Sequence, residues 1–130
     1  MNINSTEKIT INVNTSDLGR IDLLIHEGYY ANRTEFIKNA IKMQIDKHDD
    51  DIKKLLFSKS KKDWFVGVSV LTVDELQAME QRGQVKAIRG TGLLVIEKDV
   101  SLELMKATIS AIEIYGVCRC DKEIKQYYGL

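Results

Sequence analysis

Polar side chains able to form hydrogen bonds alternate with apolar ones close to the start of the sequence. The polar positions are Lys8, Thr10 and Asn12. An ammonium group, a hydroxyl and a carboxamide can all donate hydrogen bonds, and the last two can also accept them. Side chains spaced two residues apart lie on one face of a β-strand. The pattern therefore predicts a short strand with one hydrogen-bonding face.

Two cysteines and two histidines are the obvious candidates for metal binding. Cys118 and Cys120 lie on a predicted strand, so both thiols would point to one face and could contribute to a soft-metal site. His26 and His48, however, belong to the first half of the chain, and residues 63–130 contain no histidine. We therefore expect buried, reduced thiols that are weak metal candidates, with no metal and no other cofactor.

Residues 63–130 also lack the side-chain combinations that are typical of enzyme active sites. Without a histidine, no Ser-His-Asp or Cys-His set can be assembled there. Gly90-Thr91-Gly92 resembles a fragment of a phosphate-binding loop, but it lacks both the GxGxxG spacing and the Gly-Lys-Ser/Thr ending. We therefore expect a tight turn or the corner of a repeat stack. The sequence predicts no catalytic residues and a protein that is not an enzyme.

The overall composition is that of a folded protein. The chain has 130 residues, of which 44% are hydrophobic and 29% charged, and its formal net charge is zero. A neutral chain is a poor nonspecific binder of polyanions, so any contact with nucleic acid must be local. No apolar run reaches the ~18–20 residues of a membrane span, and the first residues do not resemble a secretory signal. We expect a cytoplasmic protein with no membrane contact.

A first helix is predicted to follow the strand. Ser16 or Thr15 can cap its N-terminus, and Gly28 is suited to end it. Apolar residues spaced three or four apart form its buried face, namely Leu18, Ile21, Leu24 and Ile25.

A second helix begins with a capping box in Asn32-Arg33-Thr34-Glu35, with Asn32 as N-cap and Glu35 at the third helical position. Its apolar spacing could continue through Leu56, or the acidic residues 49–51 could end it.

The polar run at residues 58–63 separates two differently patterned regions. We predict one domain over residues 1–57, a linker over 58–63 and a second domain over 64–130. In the second domain, short strands follow glycines spaced 25 and 24 residues apart, at Gly67, Gly92 and Gly116. The fold class is α+β, and the second domain is a small α/β domain that is either a stack of strand–helix repeats or a compact domain with units of similar length.

A lone six-residue strand leaves both of its edges without hydrogen-bond partners. No hairpin partner follows it, so the simplest solution is antiparallel pairing with the same strand of a second chain. The alternate polar residues would then face outward on a two-stranded ribbon, which fits the major groove of B-DNA. The residues expected to form the dimer core are Ile9, Ile11, Val13, Leu18, Ile21, Ile37 and Ile41.

Three segments within residues 7–50 resemble the ribbon-helix-helix DNA-binding family of the MetJ/Arc and CopG type. These are "KITINVN" as ribbon, "LGRIDLLIHEGYY" as first helix and "ANRTEFIKNAI" as turn and second helix. The resemblance implies that Lys8, Thr10 and Asn12 contact DNA bases. Lys8 stands where some members have arginine, which makes strong guanine selectivity at that position less assured.

The same resemblance implies a phosphate clamp at Asn32, Arg33 and Thr34, because the second helix of that family binds the DNA backbone through its N-terminal amides. It implies a homodimeric, site-specific transcriptional regulator of double-stranded DNA, most simply a repressor. We expect the second domain to form higher oligomers, although a protein partner or a small ligand is also open. The alternative is an antitoxin or plasmid-maintenance protein whose second domain binds a protein partner.

Overall fold

The computed structural model describes residues 4–60 and 64–130. These residues contain six helices and one three-stranded sheet, which is compatible with the predicted α+β class. In chain order the elements are α1 (Thr15–His26), α2 (Arg33–Lys47), α3 (Asp49–Ser60), β1 (Trp64–Leu71), α4 (Val73–Gln81), β2 (Lys86–Ile96), α5 (Leu102–Thr108), β3 (Ile109–Arg119) and α6 (Lys122–Tyr128). None of the helices in the described ranges is both long and apolar enough to span a membrane.

The chain divides into two units. The helical unit is Lys8–Phe57, and the sheet unit combines the described residues of Met1–Glu7 and Ser58–Leu130. The helical unit is thus inserted into the sequence of the sheet unit. Of the predicted linker, residues 58–60 lie in the last turn of α3, and residues 61–63 lie outside the described residues.

The N-cap of α1 is Asn14, whose side-chain oxygen accepts a hydrogen bond from the backbone N–H of Ser16 at 2.8 Å. The predicted caps, Thr15 and Ser16, were therefore wrong, and they form the first two positions of the helix. Asparagine and serine cap helices about equally well and threonine somewhat less well, so residue type alone did not single out Asn14 among the three adjacent positions.

Gly28 ends α1 as predicted, with a φ angle of +85°. Its N–H donates to the carbonyl of Ile25 at 3.0 Å, and the N–H of Tyr29 donates to the carbonyl of Leu24 at 2.9 Å. These two bonds are the Schellman arrangement, in which a residue with positive φ satisfies the last carbonyls of the helix.

Asn32 caps α2 as predicted, accepting from the N–H of Glu35 at 2.8 Å. The Glu35 carboxylate accepts from the N–H of Ala31 rather than from that of Asn32, so the capping box is displaced by one residue on that side. The helical spacing is interrupted at His48, the C-cap of α2. Residues 49–51 do not end the helix. They form the first turn of α3, where negative charge is favourable to the helix dipole.

The three strands are parallel and adjacent in chain order, β1-β2-β3. Gly67, Gly92 and Gly116 pair with one another in the register, with φ angles of +113°, +131° and +128°. The short strands predicted after Gly92 and Gly116 are parts of longer strands, because β2 and β3 begin before these glycines and run through them. The predicted turn at Gly90-Thr91-Gly92 is wrong for the same reason.

The close approach of the strands requires glycine at two positions of this row, Gly92 and Gly116. A Cβ atom on Gly92 would lie 2.1 Å from the carbonyl oxygen of Gly67, and one on Gly116 would lie 2.1 Å from that of Gly92.

One apolar core joins β1, β2 and β3 to α4, α5 and α6. It contains Leu71, Leu76, Met79, Ile88, Leu94, Ile96, Val100, Leu104, Met105, Ile109 and Ile124.

Candidate nucleic-acid interface

Residues 8–13 of the single chain lie outside every helix and strand. Within the described residues, their backbone groups make no hydrogen bond to any other segment. The polar side chains of Lys8, Thr10 and Asn12 are exposed, and no hydrogen bond or ion pair among described residues involves them. All three are therefore available to an external partner.

The apolar side chains of the same segment are exposed as well. The exposed fractions are 71% for Ile9, 61% for Ile11 and 38% for Val13. These three side chains are thus not covered by the helices of their own chain.

The helices that follow are also incompletely covered. Ile21 is the one buried residue in Lys8–Phe57, and α2 buries none of its side chains. Leu18 and Ile37 are half-buried, and Ile41 is exposed. The helical unit therefore presents apolar surface both on residues 8–13 and on its helices, which is unusual for a stable monomer.

The N-terminus of α2 offers free backbone donors. The side chain of Asn32 is occupied by the N–H of Glu35. The N–H groups of Arg33 and Thr34, in the first turn, have no acceptor among the described residues. Two free N–H groups at the positive end of a helix dipole are a suitable site for an anion such as phosphate.

The side chain of Arg33 is held by its own chain. Its Nε donates to Asp22 Oδ1 at 2.9 Å and its Nη2 donates to Oδ2 at 2.8 Å. The hydrogen bonds and charge of Arg33 lower the pKa of the Asp22 carboxyl, and Asp22 raises the pKa of Arg33 in turn. Sequence reasoning missed this pair, because a separation of 11 residues on two different helices leaves no local signal.

Cys118 and Cys120 come together as expected from their spacing, with 3.8 Å between the two sulfur atoms. Both are free thiols and half-buried. Burial, with the neighbouring Cys120, raises the pKa of the Cys118 thiol to about 12, so Cys118 is protonated at neutral pH. In the described part of the chain, no group of three or more His, Cys, Asp or Glu side chains is arranged to hold a metal ion.

Comparisons with curated proteins and with solved structures give no match. One family model matches residues 4–125, which is nearly the whole chain. The match extends far beyond residues 7–50, where the sequence motifs lie, and it includes all three strands of the sheet unit. The chain therefore belongs to the Ribbon-Helix-Helix transcriptional regulator family.

Proposed function

We propose that the protein is a site-specific repressor that binds DNA as a homodimer. Two chains would pair residues 8–13 as an antiparallel ribbon and insert it into the major groove. The observation that carries this proposal is the alternating segment itself, which has no partner among the described residues and exposes its apolar side chains. Membership in a family of transcriptional regulators supports the same function.

Burial supports the dimer. A unit of about 50 residues with one buried side chain cannot offset its loss of conformational entropy by itself. In a two-fold dimer, each chain would place Ile9, Ile11 and Val13 over the helices of both chains. Leu18, Ile37 and Ile41 would join them, and every contact would occur twice.

The outward side chains have suitable chemistry for reading bases. Asn12 can form two hydrogen bonds with adenine, Lys8 can donate to guanine, and Thr10 can contact either kind of base edge. The free N–H groups of Arg33 and Thr34 would bind a backbone phosphate and fix the ribbon in the groove. Asn32 would contribute as the cap that orders this turn.

The sheet unit would join dimers to one another. It has its own apolar core in the single chain, which supports a folded oligomerisation domain rather than a segment that folds on a protein partner. Cooperative binding of several dimers would also compensate for a net charge of zero. The proposed function is binding alone and requires no catalysis.

Selection of random DNA duplexes by the full-length protein tests this function directly. We expect an enriched site with two-fold symmetry. The double variant Lys8→Ala/Thr10→Ala should lose affinity for that site by about 100-fold or more, because each specific base contact contributes ~1–3 kcal/mol and occurs twice. Lys98→Ala, which removes one exposed charge from the sheet unit, is the control and should bind normally. Absence of any enriched site, or normal binding by the double variant, would contradict the proposal.

A further inference from the structure

A short N-terminal arm, residues 4–7, is held by one side chain at the end of β3. Nη1 of Arg119 donates to the carbonyl oxygen of Asn4, and Nη2 donates to the carbonyl oxygen of Thr6 at 2.8 Å. Nη2 also pairs with the Glu7 carboxylate at 3.1 Å. One guanidinium group thus binds three of the four arm residues, two of them through the backbone.

The arm also lies beside the sheet. Ser5, Thr6 and Glu7 share a cavity of about 320 Å³ with residues from all three strands. The strand residues that line it are Gly67, Val68, Gly92, Leu93, Val117 and Arg119. Leu93, in the central strand, is buried. The arm is therefore part of the sheet unit in space, although in sequence it precedes the helical unit.

This arrangement gives the sheet unit two covalent connections to the helical unit. One is the peptide bond between Glu7 and Lys8, and the other is at residues 57–58. Without the arm, a single connection would remain. Two covalent connections restrict the relative motion of two units more than a single connection does. The second connection also raises the effective concentration of one unit with respect to the other.

We propose that Arg119 is a positioning residue for DNA binding. By holding the arm, it closes the second connection and limits how freely the sheet unit turns relative to the ribbon that begins at Lys8. Dimers joined through their sheet units would then bind tandem sites only at spacings that place both sites on one side of the double helix. This inference rests on the proposed function and adds a residue that lies far from the ribbon's contacts in the sequence.

The chemistry of the contact explains why arginine serves here. A guanidinium group presents five donors in a planar fork, so it can reach two carbonyls and one carboxylate at once. Lysine would keep the charge and the attraction to Glu7, but a single ammonium group would not bridge the same three acceptors. Arg119→Lys should therefore be intermediate between the natural protein and Arg119→Ala.

The arm contact is tested first, in full-length protein without DNA. Cleavage after Glu7 by a glutamate-specific protease, followed by mass spectrometry, reports opening of the arm. We expect Arg119→Ala to be cut about tenfold faster, because local opening becomes easier. Arg89→Ala is the matched control, since Arg89 lies on the neighbouring strand and pairs with Glu113 at 3.8 Å instead of with the arm. Equal cleavage of Arg119→Ala and the natural protein would overturn the proposal.

The DNA readout uses duplexes that carry two copies of the selected site at increasing separation. The natural protein should show cooperativity that rises and falls with the helical repeat of about 10.5 base pairs. Arg119→Ala should lose this periodicity while binding a single site within about twofold of the natural protein, because no proposed base or phosphate contact changes. A variant that was merely unstable would bind single sites less well, without a selective loss of periodicity.

A second variant avoids any change to β3. Deleting residues 1–6 removes both carbonyl contacts, should reproduce the DNA behaviour of Arg119→Ala and should add nothing when combined with it, because the two changes remove one interaction. Preserved periodicity in either variant, or natural protein that binds single sites without cooperativity, would overturn the role of Arg119. Failure of the natural protein to bind any specific site would instead contradict the proposed function, whatever the protease experiment showed.

Discussion

Arg33 and Asp22 form a two-point ion pair that joins α1 to the first turn of α2, with donor–acceptor distances of 2.9 and 2.8 Å. The side chains remain 55% and 47% exposed, so the pair contributes little to stability in water. The ion pair matters because of its position at the first turn of α2. The guanidinium group next to the proposed phosphate clamp is already neutralised by the protein's own carboxylate.

The pair predicts an unusual titration of Asp22. Hydrogen bonds from Arg33 hold the pKa of Asp22 below its ordinary value of 3.8. Because the folded pKa is lowered, the pair's contribution to the free energy of unfolding is present above pH ~3.8 and is lost as pH falls through the lowered value. Carboxyl chemical shifts followed by NMR should show this low midpoint, and Arg33→Ala should raise it. An unchanged midpoint in Arg33→Ala would contradict the assignment.

Removing the carboxylate should also change DNA binding. In Asp22→Ala the two Arg33 side chains of a dimer become free to contact phosphate. Affinity should rise, and the slope of log K against log [salt] should steepen by about 1–2, since each phosphate contact contributes about 0.9. Titrations of the selected site at several salt concentrations measure the slope. If Arg33 already leaves Asp22 in the natural complex, the slope will be the same in both proteins.

Local hydrogen bonds in the helical unit could be predicted from the sequence. Gly28 and Asn32 act within a few residues of their own positions, where residue type nearly determines the role. The Asp22–Arg33 pair could not be predicted in this way, because it depends on how closely two helices approach. The displaced cap at Asn14 shows the remaining uncertainty of one or two residues at a helix end.

For the sheet unit, the spacing of its strand–helix units could be predicted from the sequence, but the backbone conformation of its glycines could not. The spacing of Gly67, Gly92 and Gly116 indicated similar units, and the register aligns the three glycines. A sequence does not distinguish a glycine in a turn from one inside a strand, so the positive φ angles within continuous strands were missed. The contact between Arg119 and the arm, more than 110 residues apart, leaves no sequence signal at all.

Substitutions in the glycine row should separate backbone strain from steric clash. Gly67 and Gly92 have similar positive φ angles, but a Cβ on Gly67 would meet nothing within 4 Å, whereas one on Gly92 would collide with a carbonyl oxygen. Gly67→Ala should cost roughly 1–3 kcal/mol through backbone strain alone, and Gly92→Ala about 1–3 kcal/mol more because of the steric clash. Urea unfolding followed by the fluorescence of Trp64, the single tryptophan, measures both. Equal losses of stability in the two variants would contradict the clash at Gly92, because the strands would then have moved apart to accommodate the Cβ atom at no cost in free energy.

The ribbon's apolar face should decide whether the protein is a dimer. Ile11 is 61% exposed in the single chain, so Ile11→Asn should cost a monomer little. In the proposed dimer the side chain is buried twice, and burial of an isoleucine contributes ~1.5–3 kcal/mol, so the dissociation constant should rise about 100-fold or more. Thr10→Ala, on the opposite face, is the control and should leave the constant unchanged. Sedimentation equilibrium of the full-length protein measures this constant, and one that stays the same in Ile11→Asn would exclude pairing through this segment.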